Sequence, residues 1–434
     1  MALLYCYYGD DFTGSTDVLE QLAVNGVSSV LFLATPTPAQ LARFADCQAI
    51  GFAGDARSRT PEWMSTHLPG IFTRMRELNP VVVQYKVCST FDSAPHRGSI
   101  GRALEIGRTI FATRTVPIGV AAPHLGRFLV FGQLFAAAGS EVYRIDRHPT
   151  MAHHPATPIH EADLRLHLSS QTDLPIGLVD LRAFQTHQAR KDFRRQASSG
   201  AAAVLLDGID GAMLQEAGGL VWDLGEDTQP VFIIGSSGLT AGLVAHWRST
   251  GVLAQAQPPV TAAATDRILI ISGSCSAVTA QQILWARSHG YTCVALDASG
   301  LASGNSQARE TALRLGLQSW QSGCDPVLYT ALGKPSGAAH DQSLGVALGQ
   351  LLLEFVQQTG VGRVVLCGGD TASHAVQQLN LTAITFAGAL APGAPLCRSH
   401  GDEGTGLDGL ELVLKGGQIG PEDFFDIARR GGAG

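Results

Sequence analysis

Residues 7–17 read YYGDDFTGSTD. A short apolar run at 3–8 leads into two adjacent carboxylates, Asp10 and Asp11, and then into a polar turn with Thr13, Gly14, Ser15 and Thr16. Val18, Leu19, Leu22 and Ala23 follow at i, i+3, i+4 spacing, which predicts a helix ending at Asn25-Gly26. Strand, acidic turn and helix make one βα unit. Residues 28–34 and 49–53 predict the next strands, and 81–87 and 115–120 two more. Strands alternating with helices predict mainly parallel sheets, so the fold class is α/β.

Two stretches interrupt this rhythm. Residues 144–163 (RIDRHPTMAHHPATPIHEAD) hold prolines and histidines with no period and read as a long functional loop. Residues 251–266 (GVLAQAQPPVTAAATD) read as a linker around Pro258-Pro259. Strands are then expected at 267–272, 292–296, 327–330, 363–367 and 411–414, and a last helix opens at Pro421. The expectation is two α/β domains, over 1–256 and 265–434, with mainly parallel sheets and a ligand cleft between them.

Composition sets limits on function. A chain of 434 residues suits two large domains, and 15% charged residues, against roughly 25% in ordinary soluble chains, argues against disorder. Lys+Arg is 30 and Asp+Glu 37, a formal charge of -7, which lacks the basic footprint of a nucleic-acid binder. No basic amphipathic stretch suggests a membrane surface. The 8 cysteines are widely spaced without Cys-x-x-Cys, which argues against a disulfide framework or zinc ribbon and for a reducing, cytoplasmic compartment. Asp10 and Asp11 come too early for a signal peptide. Uncharged windows at 228–247 and 268–286 reach membrane length, but Gly-Ser clusters break them into strand–loop–helix units.

Five stretches are able to carry chemistry. The acids at 10, 11 and 17 can hold hydroxyls, a metal or a proton in transfer; the plain alternative is a helix capped by Thr13 or Ser15. In KVCSTFDSAP (86–95), Lys86 can pair with an anion and Ser89, Thr90 and Asp92 can bond a polyol, or the segment is simply a turn. ISGSCSAVTAQQI (271–283) and LCGGDTASHAV (366–376) each place a Gly/Ser turn between a strand and a helix, which suits phosphate. In LKGGQIGPEDFF (414–425), Gly416-Gly417 allow close backbone approach to a ligand, or form a bulge. The G-x-G-x-x-G at 404–409 precedes a strand instead of following one, so it fails as a dinucleotide fingerprint. His148, His153, His154 and His160 are irregularly spaced, and no metal site is expected.

These motifs together resemble the four-carbon acid sugar kinase family. GDDFTGSTD, KVCSTFDS, HPATP, ISGSCSAVTAQQI, GGDTA and LKGGQIGPEDFF stand in the family's order, from about residue 5 to residue 425. The resemblance implies an N-terminal acid-sugar-binding domain and a C-terminal nucleotide-binding domain. It implies transfer of the γ-phosphoryl of ATP, with Mg²⁺, to the terminal hydroxyl of a 3-oxo-tetronate, tetronate or branched analogue. Carried onto this chain, Asp11 and Asp17 would be catalytic. Asp10, Thr13, Gly14, Arg57, Lys86, Ser89, Thr90 and His154 would face the sugar. Ser272, Ser274, Gly368, Gly369, Asp370, Thr371, Gly416 and Gly417 would surround ATP. The RIDRHPTMAHHPATP segment looks closer to members that handle 3-oxo-isoapionate. The implied partner is a small anionic sugar acid, with a homodimer allowed. The rival readings are a non-catalytic acid-sugar-binding or regulatory protein and an NAD(P)-dependent dehydrogenase. The dehydrogenase needs a Gly-rich first turn where this chain has an acidic one.

Overall fold

The computed structural model describes residues 3–153, 157–227, 230–254, 261–333, 342–401 and 407–432. The apolar runs of the N-terminal part form β1 (Tyr5–Gly9), β2 (Ser29–Phe32), β3 (Ala49–Ala53), β4 (Val82–Lys86) and β5 (Val116–Gly119). Three strands with no sequence expectation follow, β6 (Arg127–Val130), β7 (Gln133–Ala138) and β8 (Glu141–Arg144), then β9 (Ile176–Val179), β10 (Ala203–Leu206) and β11 (Val231–Gly235). The later part holds β12 (Leu269–Ser272), β13 (Thr292–Ala295), β14 (Pro326–Tyr329) and β15 (Arg363–Cys367). It closes with β16 (Ala383–Ala391), β17 (Ala394–His400) and β18 (Glu411–Lys415).

The chain divides into two compact units. The first comprises Met1–Asp10, Asn25–Ser29 and Ala45–Gln257; the second comprises Asp11–Val24, Val30–Phe44 and Pro258–Gly434. The division therefore differs from the expected 1–256 and 265–434 at two N-terminal segments. The physical reason is packing that sequence distance hides. The helix Phe12–Ala23 packs on the helix Gly369–Gln377 and on β16 and β17, and β2 pairs antiparallel with β16, Leu31 opposite Ile384. Residues 255–260 of the expected linker lie outside the described residues. Beyond it, Ala263 O accepts from Arg363 Nη2 at 2.8 Å, so that stretch is part of the second unit.

The first unit carries a parallel sheet in the order β3-β1-β4-β11-β5-β10-β9. β1, β3, β4 and β11 are buried along their whole length, as strands covered on both faces must be. The register levels their carboxyl ends: Ala53, Gly9, Lys86, Gly235 and Gly119 stand in one row. A separate antiparallel sheet, β6-β7-β8, occupies the stretch before the expected long loop. Its first turn, Phe131-Gly132, has positive φ at both residues, as a two-residue hairpin needs. Asp207 pins that turn by accepting from both amides. The loop itself forms short turns at Ile145–Arg147 and Met151–His153; residues 154–156 lie outside the described set.

In the second unit β13-β14-β12-β15-β18 run parallel and β17, β16 and β2 continue antiparallel. Again the carboxyl ends are level, with Tyr329, Ser272, Cys367 and Lys415 in one row. Its core joins Ile268, Ile270, Val327, Val365, Val413, Phe424 and Phe425. No helix of the described residues is long and apolar enough to cross a membrane.

Candidate active site

Ligands of open parallel sheets bind beyond the carboxyl ends of the strands, which here are the turns that follow the two level rows. In the second unit three turns follow β12, β15 and β18, which are neighbours in the sheet. Their glycines show how tightly the turns meet. A Cβ on Gly273 would lie 2.3 Å from Thr371 Cγ2, and one on Gly417 would lie 2.8 Å from Ser274 Oγ and 2.9 Å from Ser276 Cβ. Gly368 has φ +111, a conformation that L side chains resist, and a Cβ there would stand 3.2 Å from Ser274 N. Ser272, Ser274, Gly368, Gly369, Thr371, Gly416 and Gly417 are thus brought together, while the Asp370 side chain lies outside what is described. The helix Gly369–Gln377 starts from Gly368 with no side-chain cap, so its first N–H groups keep their positive end for an anion.

The GGQIG turn is held from behind by residues that the sequence reading assigned no role. Thr279 Oγ1 donates to Gly417 O at 2.8 Å. Gln282 Nε2 donates to the carbonyls of Ile419, Gly420 and Pro421. Lys415, fully buried, donates from Nζ to Gly416 O at 3.0 Å, Ile419 O at 3.1 Å and Thr279 Oγ1 at 3.2 Å. Burial lowers its pKa, and its hydrogens are committed to the turn, so Lys415 is an internal strut. Its place beside Gly416-Gly417 in the motif was the available signal.

The acidic stretch is divided between the units. Asp11, Thr13, Gly14 and Asp17 belong to the second. Asp11, and neither Thr13 nor Ser15, caps the helix Phe12–Ala23: its Oδ1 accepts from Gly14 N at 2.9 Å and its Oδ2 from Thr13 Oγ1 at 2.7 Å. A Cβ on Gly369 would lie 3.7 Å from Thr13 Oγ1, so this capped turn adjoins the Gly368-Gly369 turn. Asp17 is buried, and among the described residues its Oδ1 has no hydrogen-bond partner. One helical turn on, Glu20 Oε2 accepts from Gly393 N at 2.8 Å; burial pushes the Glu20 pKa up to about 8, with the nearby Asp17 charge adding to the rise.

Asp10, Arg57, Lys86, Ser89 and Thr90 belong to the first unit. Arg57 grips the buried Asp10 carboxylate at both oxygens, Nη2 to Oδ1 at 2.7 Å and Nε to Oδ2 at 3.2 Å. Asp10 N donates to Lys86 O at 3.0 Å. The turn after β4 is self-bonded: Thr90 Oγ1 donates to Asp92 Oδ1 at 2.7 Å, and Phe91 sits at φ +61, a strained conformation for a bulky residue. Ser93 Oγ lies 2.9 Å from His167 Nε2 and accepts from Gln171 Nε2 at 2.9 Å. Burial lowers the His167 pKa to about 4, so the ring is neutral there. His167 and Gln171, far along the chain, carried no signal in the sequence. His154 lies outside the described residues.

Gly/Ser turns gathered at the ends of adjoining parallel strands define an α/β phosphate-binding class. Residues 5–243 match a family model described as a sugar-binding N-terminal domain, and residues 269–425 one described as a nucleotide-binding C-terminal domain. The chain is 40% identical over 447 residues to a 3-oxo-isoapionate kinase of Paraburkholderia graminis, covering 99% of this chain and 94% of that protein. It is 27% identical over 435 residues to a 3-oxo-tetronate kinase of Salmonella typhimurium, with 97% of each covered. Protein HI1011 of Haemophilus influenzae, of the DUF1537 family, shares the fold with a TM-score of 0.72 at 24% identity, over 98% of this chain and 99% of that one. The chain belongs to the four-carbon acid sugar kinase family.

Proposed function

We propose that this protein transfers the γ-phosphoryl group of ATP to the terminal hydroxyl of a four-carbon acid sugar or close analogue, with 3-oxo-isoapionate the foremost candidate and 3-oxo-tetronates and tetronates behind it. The observation that carries the proposal is the meeting of Gly273, Gly368 and Gly417 in one glycine cradle, which any Cβ would fill. The 40% identity to a 3-oxo-isoapionate kinase over 99% of the chain supports the choice of acceptor.

The cradle suits a triphosphate for a physical reason. Phosphoryl transfer asks the protein mainly for positioning and for dipoles aimed at phosphate oxygens. The cradle turns after β12, β15 and β18 bring backbone N–H groups and the hydroxyls of Ser272, Ser274 and Thr371 to one place, and Thr279, Gln282 and Lys415 hold carbonyls of the third turn away. Among the described residues no group of three or more His, Cys, Asp or Glu is arranged for a metal ion. A magnesium ion bound with the nucleotide would supply neutralisation of phosphate charge.

Asp11 and Asp17 are the residues assigned to the acceptor hydroxyl. Asp11 Oδ1 accepts from Gly14 N and Oδ2 from Thr13 Oγ1, and these bonds from its own turn aim the carboxylate. Asp10, clamped by Arg57, fixes the chain entering that turn. All 8 cysteines are free, in keeping with a cytoplasmic enzyme, and a homodimer belongs to the same reading.

The test is release of ADP from ATP and Mg²⁺ with 3-oxo-isoapionate, 3-oxo-tetronates and tetronates in turn. The proposal expects acceptor-dependent release, fastest with 3-oxo-isoapionate. Tight acid-sugar binding without ADP release would instead mark a non-catalytic binding protein.

A further inference from the structure

We infer that Glu20 is a positioning residue of the phosphoryl-transfer site: its carboxyl keeps its proton and shares it with Asp17, so that Asp17 Oδ1 is held and Oδ2 is left for the acceptor hydroxyl. The inference rests on the acid-sugar kinase reading and deepens it by naming a residue to which that reading gives no role.

Asp17 and Glu20 stand three residues apart on the helix Phe12–Ala23. Their side chains therefore share a face, with β-carbons about 5–6 Å apart. Both are buried, Asp17 9% and Glu20 5% exposed. Two carboxylates this close and this covered resist being charged together, and one proton between them removes the conflict. The hydrogen bonds say which residue carries it. Glu20 Oε2 accepts from Gly393 N at 2.8 Å, which leaves Oε1 to bear the proton and in need of an acceptor. Asp17 Oδ1 is the acceptor one helical turn away, buried and, among the described residues, without a partner. Each carboxyl supplies what the other lacks.

The surroundings leave this pair to itself. The helix packs on the helix Gly369–Gln377 and on β16, β17 and β18. Among the described residues these elements bring His374, Cys397, Arg398, His400, Glu411 and Lys415. Arg398 reaches Glu411 at 3.6 Å, His400 Nε2 lies 2.8 Å from Thr385 Oγ1, and Lys415 is committed to the GGQIG turn. Cys397 feels the Glu20 charge, and burial keeps that thiol protonated. Beyond burial, the charge that favours the neutral form of Glu20 is that of Asp17.

The same side chain seats the helix against the nucleotide cradle. Gly393, at φ +79, lies in the turn between β16 and β17, and a Cβ there would stand 3.8 Å from Ile419 Cδ1 of the GGQIG turn. Glu20 thus joins the helix that carries Asp17 to a hairpin that rests on the third cradle turn.

Two measurements on the full chain test the inference. The first is carbon-13 NMR of protein labelled at its glutamate carboxyls, without ligand. One glutamate resonance should titrate near pH 8, vanish in Glu20→Gln and move about one pH unit lower in Asp17→Asn. An unmoved midpoint in Asp17→Asn overturns the inference, as does a Glu20 that titrates near 4.5. The second is the pH profile of kcat with ATP, Mg²⁺ and 3-oxo-isoapionate. Wild-type kcat should fall as pH rises through about 8 and the shared proton leaves. Glu20→Met, with no donor for Asp17, should lower kcat about 10- to 100-fold at every pH, with KM for ATP changed by less than about threefold. Glu20→Gln, whose amide donates at every pH, should recover most of that loss and abolish the fall above pH 8. The wild-type fall persisting in Glu20→Gln, or Gln and Met variants equally impaired, overturns the positioning role. Should Glu20→Met not fold, the Glu20→Gln profile and the NMR titration decide. Failure of the kinase reading looks different: no ATP consumed by the wild type, while the Glu20 resonance still titrates near pH 8 and moves in Asp17→Asn.

Discussion

Glu20→Gln should make the protein more stable at neutral pH. Glu20 is 5% exposed, and burial raises its pKa from 4.5 to about 8 in the folded state. The sign follows from proton counting. Between pH 4.5 and about 8 the folded carboxyl holds a proton that the unfolded one has released. The contribution of the neutral acid is fully present below pH 4.5 and is lost as pH rises through about 8. At about 1.4 kcal/mol per pH unit, the loss between pH 4.5 and pH 7 is about 3 kcal/mol. Glutamine has the shape of the protonated acid, keeps an oxygen for Gly393 N and cannot ionise. For a unit of this size, about 3 kcal/mol corresponds to a melting-temperature gain of roughly 5–10 °C. Thermal melts of both proteins from pH 4.5 to 8.5 provide the assay. The two should nearly coincide at the acid end, and the gap should widen steadily toward pH 8. A gap that stays constant, or a variant less stable at pH 8, would refute the assignment of a protonated buried Glu20.

Three further outcomes follow from other parts of the molecule. Gly417→Ala puts a Cβ 2.8 Å from Ser274 Oγ and forces two cradle turns apart; ADP affinity should fall at least about tenfold by calorimetry, with stability changed by only about 1–2 kcal/mol. Asp11→Asn keeps an acceptor for Gly14 N but removes the charge; turnover should fall about 10²- to 10⁴-fold with ADP affinity unchanged, and normal turnover would take Asp11 out of the mechanism. His167 is held neutral by burial, with a folded pKa of about 4 against 6.5, so it contributes stability present above pH 6.5 and lost as pH falls through about 4. Unfolding free energies from urea titrations should drop by up to about 3 kcal/mol across that window, and His167→Gln should flatten the drop.

The strands that read most clearly in the sequence were dense apolar runs bounded by turn residues: 49–53 and 363–367 are β3 and β15 to the residue. The strands without a signal were those whose partners supply the pattern. β16 (AITFAGALA) is a run of small residues with no alternation, and it becomes a strand by pairing with β17 on one side and Leu31 and Phe32 of β2 on the other. β6 and β7 depend on a Phe131-Gly132 turn whose amides are held by Asp207, 76 residues from Phe131. The glycine turns of the candidate site were legible because their chemistry is local: a strand end, small residues and a helix start. The roles of the acids were not. Asp10 is fixed by Arg57 and Asp11 by its own turn, and nothing in the Asp-Asp pair itself says which neighbour takes which. Lys86 and Gly235 stand level only because β4 and β11 are neighbours in the sheet.

The most direct measurement of the central claim is a phosphorus NMR spectrum of the full chain with ATP, Mg²⁺ and 3-oxo-isoapionate. A new phosphomonoester resonance growing in step with ADP, and suppressed in Gly417→Ala, is the predicted result. A spectrum in which ATP persists with every acid sugar offered, from a folded protein, would contradict it.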